Sequence, residues 1–176
     1  MDHELCHTVI DTPIGPLTLV ASDAGLHEIH FPSGRRPPGA RPREHVRNAS
    51  PAEPDHPVLA ATVVQLREYF AGARRDFDLP LAPRGTPFQL AAWRALCQIP
   101  FATTVSYGEQ ARRLGDRNKT RAVGAANGRN PIPIVIPCHR VVGADGRLVG
   151  FGGGLETKAW LLDHERRTAG ETLAFG

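Results

Sequence analysis

Nowhere in its 176 residues does the chain hold a run of about 18 apolar side chains, so no segment reads as a membrane-spanning helix. An apolar signal-peptide core is missing too: the N-terminus opens with Met1-Asp2-His3-Glu4, and the expectation is a cytoplasmic protein. Cysteine is scarce. Cys6, Cys97 and Cys138 are an odd number at wide spacings, which excludes a disulfide framework and suits a reducing compartment. Positive charge is in short supply over the first half, where residues 1–83 carry 8 Lys/Arg against 11 Asp/Glu. From Arg84 onward the balance reverses to 13 against 7, and a basic C-terminal half points to a polyanion, nucleic acid before anything else. What is present is ordinary in kind, 41% hydrophobic and 22% charged, enough for one medium domain or two small ones with a real core.

The first third patterns as strands. Leu17–Ser22 and Leu26–Phe31 are joined by Asp23-Ala24-Gly25, a short hairpin signal, and the Ile14-Gly15-Pro16 turn suggests a further strand through Thr8–Asp11. Pro32–Pro57, rich in Pro and Arg with little apolar periodicity, is expected to be a long mobile loop. Pro57 then opens a helix whose Leu59, Val63, Leu66 and Phe70 share one face, and Asp76–Leu79 is expected to return as a strand. Leu79–Gly85 looks like a boundary, placing an N-terminal unit over about 1–82 and a C-terminal unit over about 86–170.

Thr86, Pro87 and Gln89 mark the next helix start, with Phe88, Ala92, Trp93 and Leu96 as its inner face and Cys97 expected in the core. Ser106-Tyr107-Gly108-Glu109 is a second capping signal, followed by a stop at Gly115, a polar turn, and another helix over Thr120–Asn127. Helix, brief turn, helix is the helix-turn-helix pattern. The second of these helices carries almost no side-chain bulk at Ala122, Gly124, Ala125 and Ala126. Such a helix packs closely on a neighbour or presses its backbone against something narrow, and Lys119 and Arg121 speak for the second use. The last helix is expected over Glu156–Arg166.

Chemistry concentrates in Ile132-Pro133-Ile134-Val135-Ile136-Pro137-Cys138-His139-Arg140-Val141. An ordinary core cysteine needs no polar company. Here the thiol is flanked by a base and a fixed positive charge, both expected to favour a thiolate. Four glycines within Gly150–Gly154 form a loop that can approach a flat ligand, but the Gly-Lys-Ser/Thr ending of a phosphate loop is absent. Glu165, near the C-terminal end of its expected helix, faces the wrong end of the helix dipole and calls for a cationic partner, for which His139 is available.

These residues together resemble the O6-alkylguanine-DNA alkyltransferases. Pro137-Cys138-His139-Arg140-Val141 is similar to that family's signature, and the supporting pieces follow in its order: Ser106-Tyr107-Gly108, Arg121-Ala122-Val123-Gly124, Asn130-Pro131, the Gly-rich loop, then Lys158 through Glu165. The resemblance implies an α/β, ribonuclease-H-like N-terminal domain with a small antiparallel sheet and a helix. The C-terminal domain it implies is mainly α, with a winged-helix-like helix-turn-helix. It further implies direct reversal of damage in duplex DNA, O6-alkylguanine and also O4-alkylthymine, by irreversible single-turnover transfer to Cys138. That is the activity of a methylated-DNA–protein-cysteine S-methyltransferase, without a cofactor.

By the same resemblance His139 is the base, Glu165 holds it, Asn130 braces the turn, and Tyr107 donates to the flipped guanine. Arg121 fills the gap in the stack, while Lys119, Thr120, Ala122, Gly124, Ala125, Ala126 and Asn127 line a helix entering the minor groove. Tyr107, Pro133, Val141, Val149, Phe151, Gly152 and Gly153 form the alkylguanine pocket. Backbone carbonyls of Cys138 and Val141 receive the exocyclic amine, and the Gly152 N–H stabilises the developing charge on O6. Phe151-Gly152 replaces the Tyr-Ser of many relatives, which opens the pocket floor. Some relatives carry zinc in the N-terminal domain; with Cys6 out of register and Ser22 in place of a second cysteine, only His27 matches, and no metal is expected. The implied state is a monomer in solution, nucleoid-associated when on DNA, with cooperativity there left open. The rival from another class is a DNA-binding regulator whose cysteine only senses alkylation, without repair.

Overall fold

The computed structural model describes residues 4–32 and 51–174. Strands β1 (Cys6–Ile10), β2 (Leu17–Ser22) and β3 (Gly25–His30) form one antiparallel sheet in the order β1-β2-β3. A register shift at Val20/Ala21 is what lets Leu26 and Ile29, three residues apart on β3, both reach the core. At the hairpin Gly25 has φ +139°, and a Cβ there would lie 2.5 Å from the Pro80 carbonyl, so only glycine fits.

Both edges of this sheet are covered. On β1, the His7 N–H donates to Pro51 O and the Glu53 N–H to His7 O. On β3, Leu26 exchanges main-chain bonds with Pro80 and Ala82. The expected strand at Asp76–Leu79 does not form. Gln65 takes its place there, with its side-chain amide donating to Asp78 O and accepting from Asp78 N. The expected loop over 32–57 is paired main chain at its far end, Pro51–Glu53, while its stretch 33–50 lies outside the described residues.

Helix α1 (Pro57–Phe70) buries Leu59, Thr62, Leu66 and Tyr69 and is capped by the His56 imidazole. Helix α2 (Pro87–Leu96) starts with the full capping box: Gln89 N–H donates to Thr86 Oγ1 at 3.1 Å and Thr86 N–H to Gln89 Oε1 at 3.0 Å. Cys97, expected in the core, caps α2 with its side chain exposed, because Leu96 and Ile99 take the inward positions.

A short strand β4 (Val105–Ser106) leads into helix α3 (Tyr107–Arg113). Only half of its capping box forms: Ser106 Oγ accepts from the Glu109 N–H, but the Glu109 carboxylate is held by Arg112 and Arg113. A 3-10 turn (Arg117–Lys119) separates α3 from α4 (Thr120–Gly128). After a second 3-10 turn (Cys138–Arg140), β5 (Val141–Val142) pairs in parallel with β4. Helix α5 spans Leu155–Ala174, beyond the expected end at Arg166. It passes through Gly170, since one glycine costs a helix only about 1 kcal/mol and does not end it.

One apolar cluster runs through both halves, joining Leu17, Leu19 and Leu66 to Trp93, Ile132, Ile136 and Leu161. A main-chain bond from Ile29 N to Pro131 O, 2.9 Å, ties β3 directly to the segment that leads to Cys138. No described helix is long and apolar enough to cross a membrane.

Candidate active site and nucleic-acid face

The segment before the cysteine is wound tightly. Ile134 holds φ 75°, a left-handed conformation rare for a β-branched residue, and its side chain is buried. Asn130 secures the winding from inside, accepting from the Ile132 N–H at 3.0 Å and donating to Ile136 O at 2.8 Å. The turn delivers Cys138, His139 and Arg140 to the interior, with Cys138 only 8% exposed.

His139 is fully buried, and its Nε2 lies 2.7 Å from Glu165 Oε2. Burial alone would raise the Glu165 pKa, yet hydrogen bonds and charge from His139 and Arg140 hold it well below the usual carboxylate range. The carboxylate is therefore ionised and can only accept, so Nε2 carries the proton. That tautomer leaves a lone pair on Nδ1, which is buried and meets no protein donor or acceptor. Burial, partly offset by Glu165, lowers the His139 pKa and keeps the ring neutral at rest.

The thiol differs from expectation. Burial pushes the Cys138 pKa up, against a hydrogen bond from Asn130 and the charge of Lys158. The resting group is a neutral thiol, and its cation is not the neighbouring Arg140. That guanidinium turns to Glu165, with Nε 2.9 Å from Oε1 and Nη2 3.1 Å from Oε2, and Nη1 donates to Ile99 O at 2.7 Å. The nearby charge belongs to Lys158, fully buried, whose Nζ donates to Val141 O at 2.6 Å and Val149 O at 3.0 Å.

The pocket residues gather around these groups. Tyr107 donates its hydroxyl to Val149 O at 2.9 Å, and burial lifts its pKa to about 12. Pro133 and Val141 are buried, whereas Val149 is 43% exposed at the rim. Phe151 and Gly152 are half-buried; Gly153 is buried against Phe31, whose ring a Cβ would meet at 3.0 Å. Phe31 also packs on Phe151 at 5.4 Å between centroids, so the residue that follows β3 supports the Gly-rich loop.

Helix α4 divides into two faces. Lys119, Thr120, Arg121, Ala122 and Ala125 are exposed and Gly124 is half-exposed above the Tyr107 ring. Ala126 and Asn127, expected on the outer face, point inward instead. The Ala126 carbonyl accepts the Trp93 indole N–H at 2.8 Å, and Asn127 pairs with Gln110 in both directions. At about 100° per residue Ala126 and Asn127 fall within about 60° of Val123, so they share its buried side while 121, 122 and 125 stay outside.

Two partners of Glu165 escape sequence reasoning: the Tyr69 hydroxyl, at 2.7 Å from Oε2, and the Ala102 N–H, at 3.1 Å from Oε1. Tyr69 sits beside Phe70 in a helix full of core residues, and nothing in its spacing marks it. In the N-terminal sheet, Cys6 donates to Ala21 O and Ser22 Oγ lies 2.7 Å from His27 Nε2.

A buried thiol beside a carboxylate-held imidazole, next to a helix-turn-helix with a cationic outer face, defines a cysteine-dependent protein with a nucleic-acid-binding half. The chain belongs to the 6-O-methylguanine DNA methyltransferase family. The family's ribonuclease-like domain matches residues 5–83 and its DNA binding domain matches residues 87–167. Among curated relatives, the methylated-DNA–protein-cysteine methyltransferase of Mycobacterium bovis is 44% identical over 93% of each chain. That of Methanosarcina acetivorans is 41% identical over 90% of this chain and 97% of its own. Among solved structures, a Mycobacterium tuberculosis O6-methylguanine methyltransferase superposes with a TM-score of 0.82 at 40% identity, covering 93% of this chain and 94% of that one. The Mycobacterium tuberculosis OGT in complex with DNA gives 0.80 at 41% identity, with the same two coverages.

Proposed function

We propose that this chain removes the alkyl group from O6-alkylguanine in duplex DNA by transferring it once, irreversibly, to Cys138. The chain is a DNA-repair methyltransferase that acts by direct reversal, as its family and relatives at 41–44% identity support, and DNA is its partner. The observation that carries the assignment to Cys138 is the 2.7 Å contact between His139 Nε2 and Glu165 Oε2. With Nε2–H fixed on the carboxylate, Nδ1 is left as the base of the site.

The chemistry then balances. The thiol proton passes to His139 Nδ1, directly or through one water. The thiolate attacks the alkyl carbon, the carbon–O6 bond breaks, and its electron pair stays on guanine, which takes up a proton as the restored base. Glu165 offsets the imidazolium, and Lys158 supports the thiolate. Because burial keeps Cys138 protonated at rest, proton transfer to His139 must precede attack.

The target oxygen lies inside the duplex, so the nucleotide must be turned out. Arg121 fills the gap it leaves, and Ala122, Gly124 and Ala125 let α4 approach the minor groove closely. Tyr107 moves its hydroxyl from Val149 O to the flipped base. The Val141 carbonyl, with a second lone pair besides the one used by Lys158, takes the exocyclic amine. The Gly152 N–H faces the developing charge on O6. The work is placed in the cytoplasm, on nucleoid DNA.

Peptide mapping by mass spectrometry, after incubation with excess O6-methylguanine duplex, tests this reading. One methyl per protein, on Cys138, is expected. An adduct on Cys97 or Cys6, or continued turnover with no adduct, would overturn it.

A further inference from the structure

We infer that Tyr69, on helix α1 of the N-terminal half, is a positioning residue for the transfer reaction, setting the orientation and basicity of His139 through Glu165. The inference rests on the Cys138–His139–Glu165 reading above.

Glu165 Oε2 accepts three donors at once: His139 Nε2 at 2.7 Å, the Tyr69 hydroxyl at 2.7 Å and Arg140 Nη2 at 3.1 Å. Donors that share one oxygen compete for its electron density. A second short bond on Oε2 weakens the pull of that oxygen on the Nε2 proton and so restrains the basicity of the ring. Tyr69 is built to hold this bond. Its side chain is fully buried and wedged among Phe70, Phe77, Phe101 and His164, and His164 in turn bonds its main-chain carbonyl. Burial and the Glu165 charge push its pKa far above the ordinary phenol value, so the hydroxyl stays a donor at every working pH.

The position matters as much as the bond. Tyr69 comes from α1, His139 and Arg140 from the turn before β5, Ala102 from the loop before β4, and Glu165 from α5. The N-terminal half thus reaches the base through a carboxylate oxygen.

The direction of the effect follows from the groups around the ring. His139 is faced by Glu165 and Lys158 from α5 and by Arg140 from its own turn. Arg75 lies farther out, over Phe101. All of these remain in a Tyr69→Phe variant. Only the competing donor is lost, so Oε2 binds the Nε2 proton more firmly, the imidazolium is favoured, and a higher pH is needed to keep the ring neutral.

The test is the single-turnover rate of methyl transfer to Cys138 against pH, for wild type and Tyr69→Phe, with thermal melting and duplex affinity measured alongside. Expected are unchanged duplex affinity and an acid limb displaced upward by about half to one pH unit, so that the rate falls by about threefold to tenfold on that limb and returns to near wild type above it. A rate loss equal at every pH, following the loss in melting temperature, would show Tyr69 to be packing alone and overturn the inference. An unchanged rate would do the same. Ring-fluorinated tyrosine at position 69 keeps the packing and strengthens the donor, so the limb must move to lower pH, which decides the matter even where the Phe variant does not fold. Should wild type carry its methyl on another cysteine, the site reading itself falls. Should it carry it on Cys138 while both limbs stay fixed, only the role of Tyr69 falls.

Discussion

Arg140 and Glu165 form a two-pronged ion pair sealed from solvent, Nε on Oε1 at 2.9 Å and Nη2 on Oε2 at 3.1 Å. Sequence neighbours thus serve different masters: Cys138 faces the pocket while Arg140 neutralises the carboxylate that holds the base. Replacing Glu165 by Gln keeps the shape but leaves a buried guanidinium without its counter-charge, a loss of about 3–5 kcal/mol of stability. It also removes the negative charge that favours a protonated His139. Methyl transfer should slow by about a hundredfold, with its acid limb moved to lower pH. Urea unfolding and single-turnover kinetics check the two effects separately; an unchanged pH–rate profile would remove Glu165 from the mechanism.

Acid should destabilise the fold in two stages. The His139 pKa is lowered from the usual 6.5, so as pH falls the unfolded chain takes up the proton first. The stability present above that value is lost as pH drops through it toward the folded pKa, and each unit of separation amounts to about 1.4 kcal/mol. Glu165, lowered from 4.5, adds a second loss that starts only below that pH. Urea midpoints measured from about pH 8 to pH 3 should show both stages in wild type and only the lower one in His139→Gln.

Cys138→Ser should fold and bind DNA like wild type yet transfer no methyl group, because a buried hydroxyl is far harder to ionise than a thiol. Residual transfer within about a hundredfold of wild type would mean another residue is the nucleophile.

Arg121→Ala should impair transfer from duplex DNA much more than reaction with free O6-alkylguanine base, since a finger that fills the stack offsets a flipping cost of a few kcal/mol. Ala125→Glu, on the same exposed face, should weaken duplex binding by placing charge and bulk against phosphates while sparing the free-base reaction. Ala126→Glu is a different experiment: that position is buried beneath Trp93, and the variant should lose stability and both activities together. Equal losses in all three variants would mean that α4 supports the active site and does not read DNA.

Local signals carried much of this architecture. The hairpin glycine and the Thr86–Gln89 capping box are short-range patterns, and the fold keeps them, whereas on α1 it keeps Leu59 and Leu66 inside but buries Thr62 and Tyr69 where Val63 and Phe70 are expected, leaving those two half-buried. It also keeps the pairing of Glu165 with His139, anticipated from an anion at the wrong end of a helix. What stayed hidden depends on distance in sequence. Gln65 occupying the backbone of Asp78, and Tyr69 reaching Glu165 across 96 positions, leave no trace in spacing. The assumption that Arg140 serves the thiol because it stands two residues away failed for the same reason, since adjacency along a turn does not fix where a long side chain ends. Helical phase is equally hard to read from α4, where small residues stand on every side. The resemblance places Ala126 and Asn127 outward, whereas burial of Val123 turns them in.

Helix α4 has little reason to be a helix on its own: two glycines and an asparagine lower its propensity, and no side chain caps its start. Its shape is imposed from below, by Val123 in the core, the Trp93 indole on its backbone and the Gln110–Asn127 amide pair. The two faces therefore answer to separate demands. Mutation on the underside is constrained by folding, while the upper residues 121, 122 and 125 can drift or be redesigned with small cost to the scaffold, so that taste for one nucleic-acid shape over another is free to diverge among descendants of the same frame.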